Sequence, residues 1–315
     1  MVELAQGVVR VRAPNPSPMT LTGTNTYLVR TAPGEALVID PGPALGRHVD
    51  AIVGAARGLG LEIRTILVTH GHPDHAPAAR PLSERTGAPV LAHANARFPV
   101  DRSLGDGEDL IFDDARIGVV DAPGHAPDHL VFVLNGERAL FTGDVVLGTG
   151  TVVIAPPGGA MRPYQRTLDR LLREHGGSRA IYGGHGEAVA DPSAKLREYI
   201  AHRKMREDEL LTCLHNGPAT IPDLVRTIYA NVDQRLWPAA ARQMLAYLIA
   251  LEEEERVVPE LLERRPTAEE AAILDPNLQR IADPAAAEVA RAELGAAMQL
   301  PLVSYRLSSS SQRGT

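Results

Sequence analysis

His70-Gly71-His72-Pro73-Asp74-His75 packs three imidazoles and a carboxylate into six residues, directly after the apolar run Ile63-Arg64-Thr65-Ile66-Leu67-Val68-Thr69. That run reads as a buried strand, so the ligand-type residues stand where a strand ends. In an extended or tightly turned segment residues i and i+2 point the same way, which lets His70 and His72 grip one cation while Asp74 and His75 face a second. Neutral imidazole and carboxylate are ligands that Zn²⁺ accepts at about 2.0–2.2 Å, and a hydrolytic site keeps one position open for water. A closed structural site or a solvated polar loop does not require ligands this dense without a single thiolate.

The same pattern recurs three times down the chain. Ala115 to Asp121 is strand-like and runs into Ala122-Pro123-Gly124-His125; Arg138 to Thr142 runs into Gly143-Asp144; Ala180 to Tyr182 runs into Gly183-Gly184-His185-Gly186. Each candidate ligand therefore sits where an apolar segment gives way to a glycine loop, the usual place for a site held by a rigid scaffold. Glycine lets the backbone turn tightly beside an ion. One strand-end histidine alone is commonly a half-buried polar group; seven ligand-type residues at the ends of four strands call for a metal site.

The set His70-x-His72-x-Asp74-His75, His125, Asp144 and His185 resembles the complete dinuclear motif set of the metallo-β-lactamase superfamily. The resemblance implies that His70, His72 and His125 hold one metal, that Asp74, His75 and His185 hold the other, and that Asp144 bridges them. It makes Asp74 and Asp144 the catalytic carboxylates, with Asp74 orienting the nucleophile. The implied cofactor is a pair of Zn²⁺ ions, and the same N/O ligands accept manganese or iron. Asp40, in Leu37-Val38-Ile39-Asp40-Pro41-Gly42, resembles the family's early aspartate that steadies a ligand from behind; a plain turn carboxylate before Pro-Gly is the other reading. Asp128 and His129, just after His125, are read as support for an imidazole or as strand-start residues, not as ligands.

Three further segments resemble the β-lactamase-like protein 2 group, whose animal member is a single-strand endoribonuclease of mitochondria: Asn15 to Val29, Gly143 to Thr151 and Tyr199 to Glu207. Fungal polyketide thioesterases of the superfamily share Gly23-Thr24-Asn25-Thr26-Tyr27-Leu28. The first expected substrate is thus single-stranded RNA, and the alternative is a small-molecule thioester or other acyl ester. A non-catalytic binding protein on the same scaffold is a third reading, opposed by the complete ligand set.

Composition agrees with an enzyme of the cytoplasm. At 315 residues and 44% hydrophobic content the chain can bury a large core and hold two domains. The lone Cys213 excludes an internal disulfide and a CxxC pair, and is read as a small apolar contact inside a helix. No basic n-region followed by an apolar stretch opens the chain, and no 18-residue apolar stretch suggests a membrane span. A net charge of −7, spread over both halves, counts mildly against a nucleic-acid partner, because phosphate neutralisation drives such binding. The best local basic patch is Arg203-Lys204-Met205-Arg206, an expected anion contact if RNA is the substrate. Its other reading is a solvated helix face paired with Glu207, Asp208 and Glu209. No Gly-x-Ser-x-Gly elbow precedes a helix, and Gly148-Thr149-Gly150-Thr151 lacks the lysine of a phosphate loop; this loop is expected to line the substrate cleft.

The expected fold class is α/β: an αββα sandwich over residues 1–192 with the metals at one edge of the sheets, then a winged-helix-like helical domain over 193–307. Helical spacing marks His48 to Leu59, Pro77 to Thr86, Tyr164 to His175 and Ser193 to Leu214. Thr220-Ile221-Pro222-Asp223 has the capping residue, first-turn proline and acid of a helix start. The helix that follows Trp237-Pro238 ends in Glu252-Glu253-Glu254-Glu255, unlike a base-reading helix, so the module is read as structural or dimerising and leaves a homodimer open. Arg256-Val257-Val258 and Leu302 to Leu307 read as wing strands around an insertion with a helix at Ala285 to Met298, the competing reading being an unpaired extension after Val258. Ser308 to Thr315 is low in complexity and is expected to be disordered.

Overall fold

Segments that are apolar without alternation become strands buried on both faces. In β3 (Asn25–Ala32), β4 (Glu35–Ile39) and β5 (Glu62–Leu67), successive residues serve two different cores. Leu28, Val38 and Ile66 face one, with Val49 and Ile52 of α1 (Gly46–Gly58) and Leu82 of α2 (Ala79–Thr86). Tyr27, Val29, Leu37, Ile39 and Leu67 face the other, against Ile117, Val119, Leu130, Phe132 and Phe141. Full burial of one such side chain is worth about 1.5–3 kcal/mol, so a one-residue slip in register would forfeit several of these at once.

The computed structural model describes residues 1–5, 7–136, 138–274 and 302–308, and the chain divides into two compact units. In the first, Met1–Val152 with Pro163–Ile200, two sheets follow chain order. The seven-stranded sheet joins β1 (Val2–Ala5), β2 (Val8–Arg12), β3, β4, β5, β6 (Val90–His93) and β7 (Arg102–Leu104). Pairing is antiparallel from β1 to β4 and parallel from β4 to β7, the parallel part being crossed by α1 and α2. The five-stranded sheet joins β8 (Asp109–Ile111), β9 (Arg116–Asp121), β10 (Leu130–Leu134), β11 (Ala139–Gly143) and β12 (Ala180–Gly183). On the far side of this sheet α3 (Met161–His175) buries Tyr164, Leu168 and Leu171 and is tied by the Thr167 hydroxyl to the Pro123 carbonyl at 2.8 Å. The layers are therefore helix, sheet, sheet, helix.

The second unit comprises Val153–Arg162 and the described residues from Ala201 onward, with α4 (Pro192–His215) carrying the chain into it. Here α5 (Ile221–Ile228) starts on a capping box: Asp223 donates its N–H to the Thr220 hydroxyl at 3.3 Å, and its carboxylate accepts the Thr220 N–H at 3.0 Å. With α6 (Trp237–Glu253), α7 (Ala268–Leu274) and a three-stranded sheet this makes a winged helix. The segments read as wing strands pair antiparallel, from Val257 opposite Leu307 to Leu261 opposite Val303; β13 (Ala219–Thr220) adds the third strand beside β15 (Val303–Leu307), opposite β14 (Val257–Leu261). The Ser308 N–H continues the pairing onto the Arg256 carbonyl at 3.0 Å. The helix expected at Ala285 to Met298 and the tail after Ser308 lie outside the described residues.

One expectation needs correction. Arg203-Lys204-Met205-Arg206 is not a free cationic patch: Arg203 is only 2% exposed, and the Tyr247 hydroxyl donates to its carbonyl at 2.9 Å. Arg206 reaches Glu209 at 2.8 Å and the Ile228 carbonyl at 3.0 Å, with its guanidinium over the Tyr229 ring. Only Lys204 and Met205 of the four face solvent. Arg203 is buried and Arg206 has a carboxylate and an aromatic partner within its own unit, so this stretch keeps little charge for phosphate. Glu207, expected to pair along its own helix, joins Arg162, Arg256 and, through them, Glu254 in a network of ion pairs.

Candidate metal centre

The loops at the C-terminal ends of β4, β5, β9, β11 and β12 converge, and with them all seven residues singled out in the sequence. His70, His72, His125 and Asp144 form one group of donor atoms and Asp74, His75 and His185 a second, each drawn together within 4.8 Å. His72 Nδ1 lies 3.0 Å from His70 Nε2 and 2.9 Å from His125 Nε2. Asp144 reaches both groups: its Oδ2 is 3.7 Å from His125 Nε2 and 3.4 Å from His185 Nε2, and its Oδ1 is 3.4 Å from His75 Nε2. Asp74 Oδ2 stands 3.3 Å from His185 Nε2 and 3.4 Å from His75 Nε2.

Hydrogen bonds behind the ligands decide which nitrogens face inward. The Thr69 hydroxyl donates to Asp40 Oδ2 at 2.8 Å, so its lone pair is left for the His70 Nδ1–H at 3.0 Å, and the His70 Nε2 lone pair points into the cluster. The same Asp40 Oδ2 accepts from His75 Nδ1 at 2.8 Å, which aims His75 Nε2 at Asp74 and Asp144. Asp40 thus orients one imidazole directly and one through a threonine. Its backbone is in the left-handed region at φ +52°, held there while the Thr69 N–H bonds its other oxygen at 2.8 Å. A plain turn carboxylate would need none of this.

Asp128 and His129 also act from behind. Asp128 accepts the Gly71 N–H at 3.0 Å, fixing the turn between His70 and His72. The His129 ring stacks on His70 with centroids 4.5 Å apart, and its Nε2 accepts the Asp144 N–H at 3.1 Å. Thr24, which sequence reasoning did not single out, donates its hydroxyl to Asp74 Oδ2 at 2.9 Å. Its stretch, Gly23 to Leu28, carries part of the resemblance, but no role for the hydroxyl is legible there, because Asp74 is brought to it only by the pairing of distant strands. Asn25 and Tyr27 donate to the Gly183 carbonyl at 3.0 and 2.6 Å and so anchor the His185 loop on β3.

Donors and charges both fit a cation. Nitrogen bound at about 2.0–2.1 Å to a tetrahedral zinc stands roughly 3.3 Å from its neighbours, close to the spacing of the three facing imidazoles. His75 Nε2 and Asp144 Oδ1 are buried with no hydrogen-bond partner among the described residues. Burial holds His70 and His72 below the ordinary histidine range, which keeps their lone pairs free. At His75 and His185 burial pulls the same way, but the carboxylates of Asp144 and Asp74 outweigh it; His75 is raised well above the usual value and His185 to about 9. Burial alone would raise Asp74 and Asp144, yet His75 and His185 hold both below the usual carboxylate range. This negative, imidazole-rich pocket takes protons where it would take metal.

Known proteins resemble this chain in sequence and fold. Residues 19–185 match the metallo-β-lactamase superfamily and residues 220–261 the β-lactamase associated winged helix domain. The β-lactamase-like protein 2 homolog of Drosophila melanogaster is 32% identical over 278 residues, 81% of this chain and 90% of that protein. The atrochrysone carboxyl ACP thioesterase of Aspergillus fumigatus is 32% identical over 246 residues, 73% of this chain and 75% of that protein. The crystal structure of a metallo-β-lactamase family protein from Thermus thermophilus superposes with a TM-score of 0.68 at 27% identity, covering 82% of this chain and 97% of the other. No helix among the described residues is long and apolar enough to cross a membrane. A match over more than half its length, and a relative of like extent at 32% identity, make this chain a member of the metallo-β-lactamase superfamily: a hydrolase with a His/Asp cluster that could bind metal.

Proposed function

We propose that the protein is a two-zinc hydrolase of thioesters or related acyl substrates. In this reading His70, His72 and His125 hold one ion, Asp74, His75 and His185 hold the other, and Asp144 serves both. The observation that carries it is the placement of Asp144, one carboxylate within 3.7 Å of donors from both groups. A zinc pair supplies, when bound, water of lowered pKa and polarises the oxygen of the scissile group. The chain's own part is orientation. Thr24 restrains Asp74, which is thereby set to accept a hydrogen bond from the attacking water, while Asp40 and His129 stop the imidazoles and Asp144 from turning away.

Acyl chemistry is favoured by the acidic charge, by Arg203 being buried and Arg206 paired within their own unit, and by the resemblance to a thioesterase. The second reading, cleavage of single-stranded RNA, draws on similarity over 90% of a β-lactamase-like protein 2 homolog. Zinc-loaded protein should be offered acyl-coenzyme A, glutathione thioesters, unstructured RNA and a chromogenic β-lactam in parallel. Thioester turnover without RNA fragments is the expected result. Endonucleolytic fragments with intact thioesters would transfer the assignment to the RNA reading.

The two ions should differ in their response to pH. His185 sits near 9 and His75 well above the usual histidine value, so below about pH 9 an ion at Asp74, His75 and His185 must expel protons. Its affinity should rise about tenfold per pH unit for each proton expelled, and flatten above pH 9 for the His185 share. His70 and His72 are pushed down and hold no proton to lose at neutral pH, so the ion they share should bind with little pH dependence there. Chelator competition between pH 6 and 9 measures both slopes, and equal slopes would contradict the assignment.

A further inference from the structure

The chain leaves Asp144 through Val145 and Val146 into the loop Leu147-Gly148-Thr149-Gly150, and this loop is tied at both ends by one side chain. Tyr199, fully buried on α4, accepts the Leu147 N–H at 3.0 Å and donates its hydroxyl proton to the Gly150 carbonyl at 2.9 Å. A phenol has one proton to give, and here it is spent on one end of the turn while the oxygen lone pair holds the other. The loop also lies against the His185 turn. Gly148 donates its N–H to the His185 carbonyl at 3.0 Å, and a Cβ at Gly186 would come within 3.0 Å of the Thr149 nitrogen. Thr149 and Gly150 themselves face solvent beside two of the seven donor residues.

We propose that Tyr199 is a positioning residue that sets substrate specificity: its hydroxyl fixes the Leu147–Gly150 loop, exposed at Thr149 and Gly150, as one wall of the cleft over Asp144 and His185. The inference rests on the hydrolase reading above and adds to it a determinant that touches neither ion. The loop has no side chain larger than threonine beyond Leu147 and no regular pairing of its own, so its shape depends on the two bonds to Tyr199 and the one to His185. Losing the hydroxyl leaves the buried ring in place and frees the loop.

The test compares full-length wild type with Tyr199→Phe and Thr149→Tyr, all zinc-loaded, by residue-resolved hydrogen exchange, zinc content and kinetics on acyl-coenzyme A. Tyr199→Phe should speed exchange at the Leu147 amide at least tenfold and raise KM about tenfold, with kcat within twofold and zinc content unchanged. Thr149→Tyr, at an exposed position, should alter KM comparably while the Leu147 amide stays protected. Wild-type exchange at Leu147 in Tyr199→Phe would overturn the proposal, as would unchanged KM in both variants or loss of zinc from Tyr199→Phe. If no variant turns over acyl-coenzyme A while wild-type protein cleaves RNA, the acyl reading fails instead; KM for RNA then takes the same place, and exchange at Leu147 still decides whether Tyr199 holds the loop.

Discussion

Asp144→Asn should lower turnover on the order of a thousandfold while leaving the fold intact. Its carboxylate approaches donors of both clusters, at 3.4 Å from His75 and His185 and 3.7 Å from His125. An amide keeps the volume and the N–H bond to His129, because that bond belongs to the backbone. What it loses is the negative charge that the proposed two-zinc reading sets between the ions, in a buried position where charge is poorly screened. The checks are steady-state kinetics on whichever substrate the panel identifies, zinc content by elemental analysis and far-UV circular dichroism. Turnover within a few-fold of wild type, with two zinc ions still bound to the wild-type protein, would refute the shared-carboxylate mechanism.

Gly184→Ala should be nearly as damaging, although the residue carries no chemistry. A Cβ at this position would overlap Asp144 Oδ1 and stand 2.6 Å from His75 Cε1, closer than any methyl group tolerates. His75 cannot swing aside freely, being bonded to Asp40 at 2.8 Å, and Gly184 cannot draw back, its N–H being bonded to the Gly143 carbonyl at 2.7 Å. The expected outcome is loss of zinc from the Asp74, His75 and His185 group and a drop in activity of at least a hundredfold. A variant with both ions and near-normal activity would mean that the ligands have far more slack than their hydrogen bonds imply. The control is Gly107→Ala, where nothing lies within 4 Å of an added Cβ, although its positive φ of +77° makes some loss of stability expected there.

The seven donor residues that the fold draws together are legible in the sequence because the chemistry is concentrated. Imidazoles and carboxylates at strand ends, each beside glycine, have few other uses, and four such ends agree with one another. Strand and helix positions in the first unit are legible for a related reason: strands buried on both faces, such as β4 and β10, are apolar almost throughout, and α3 shows its stripe of Leu168, Leu171 and Leu172 openly. Gly184 stands in the Gly183-Gly184-His185 turn, but its neighbours in the chain do not reveal its role. Only the fold shows that two side chains occupy the space a Cβ would need.

Tertiary structure decided what depends on residues far apart in the chain. Thr24 lies 50 positions from Asp74, and Tyr199 lies 52 from Leu147, yet each makes a hydrogen bond that shapes the site. A threonine or tyrosine carries no local signal of its partner, since its hydroxyl serves equally well in solvent, in a cap or behind a metal ligand. Arg203 and Arg206 show the opposite error of local reasoning: three cations in four residues look like an anion contact, but the packing of α4 buries Arg203 and pairs Arg206 with Glu209 and the Tyr229 ring, leaving only Lys204 in solvent. The sequence by itself determined which groups can bind metal, because donor chemistry is a property of residue type. Only the tertiary structure decided which groups orient those donors and which charges stay free, because distance and burial arise from the packing of distant segments.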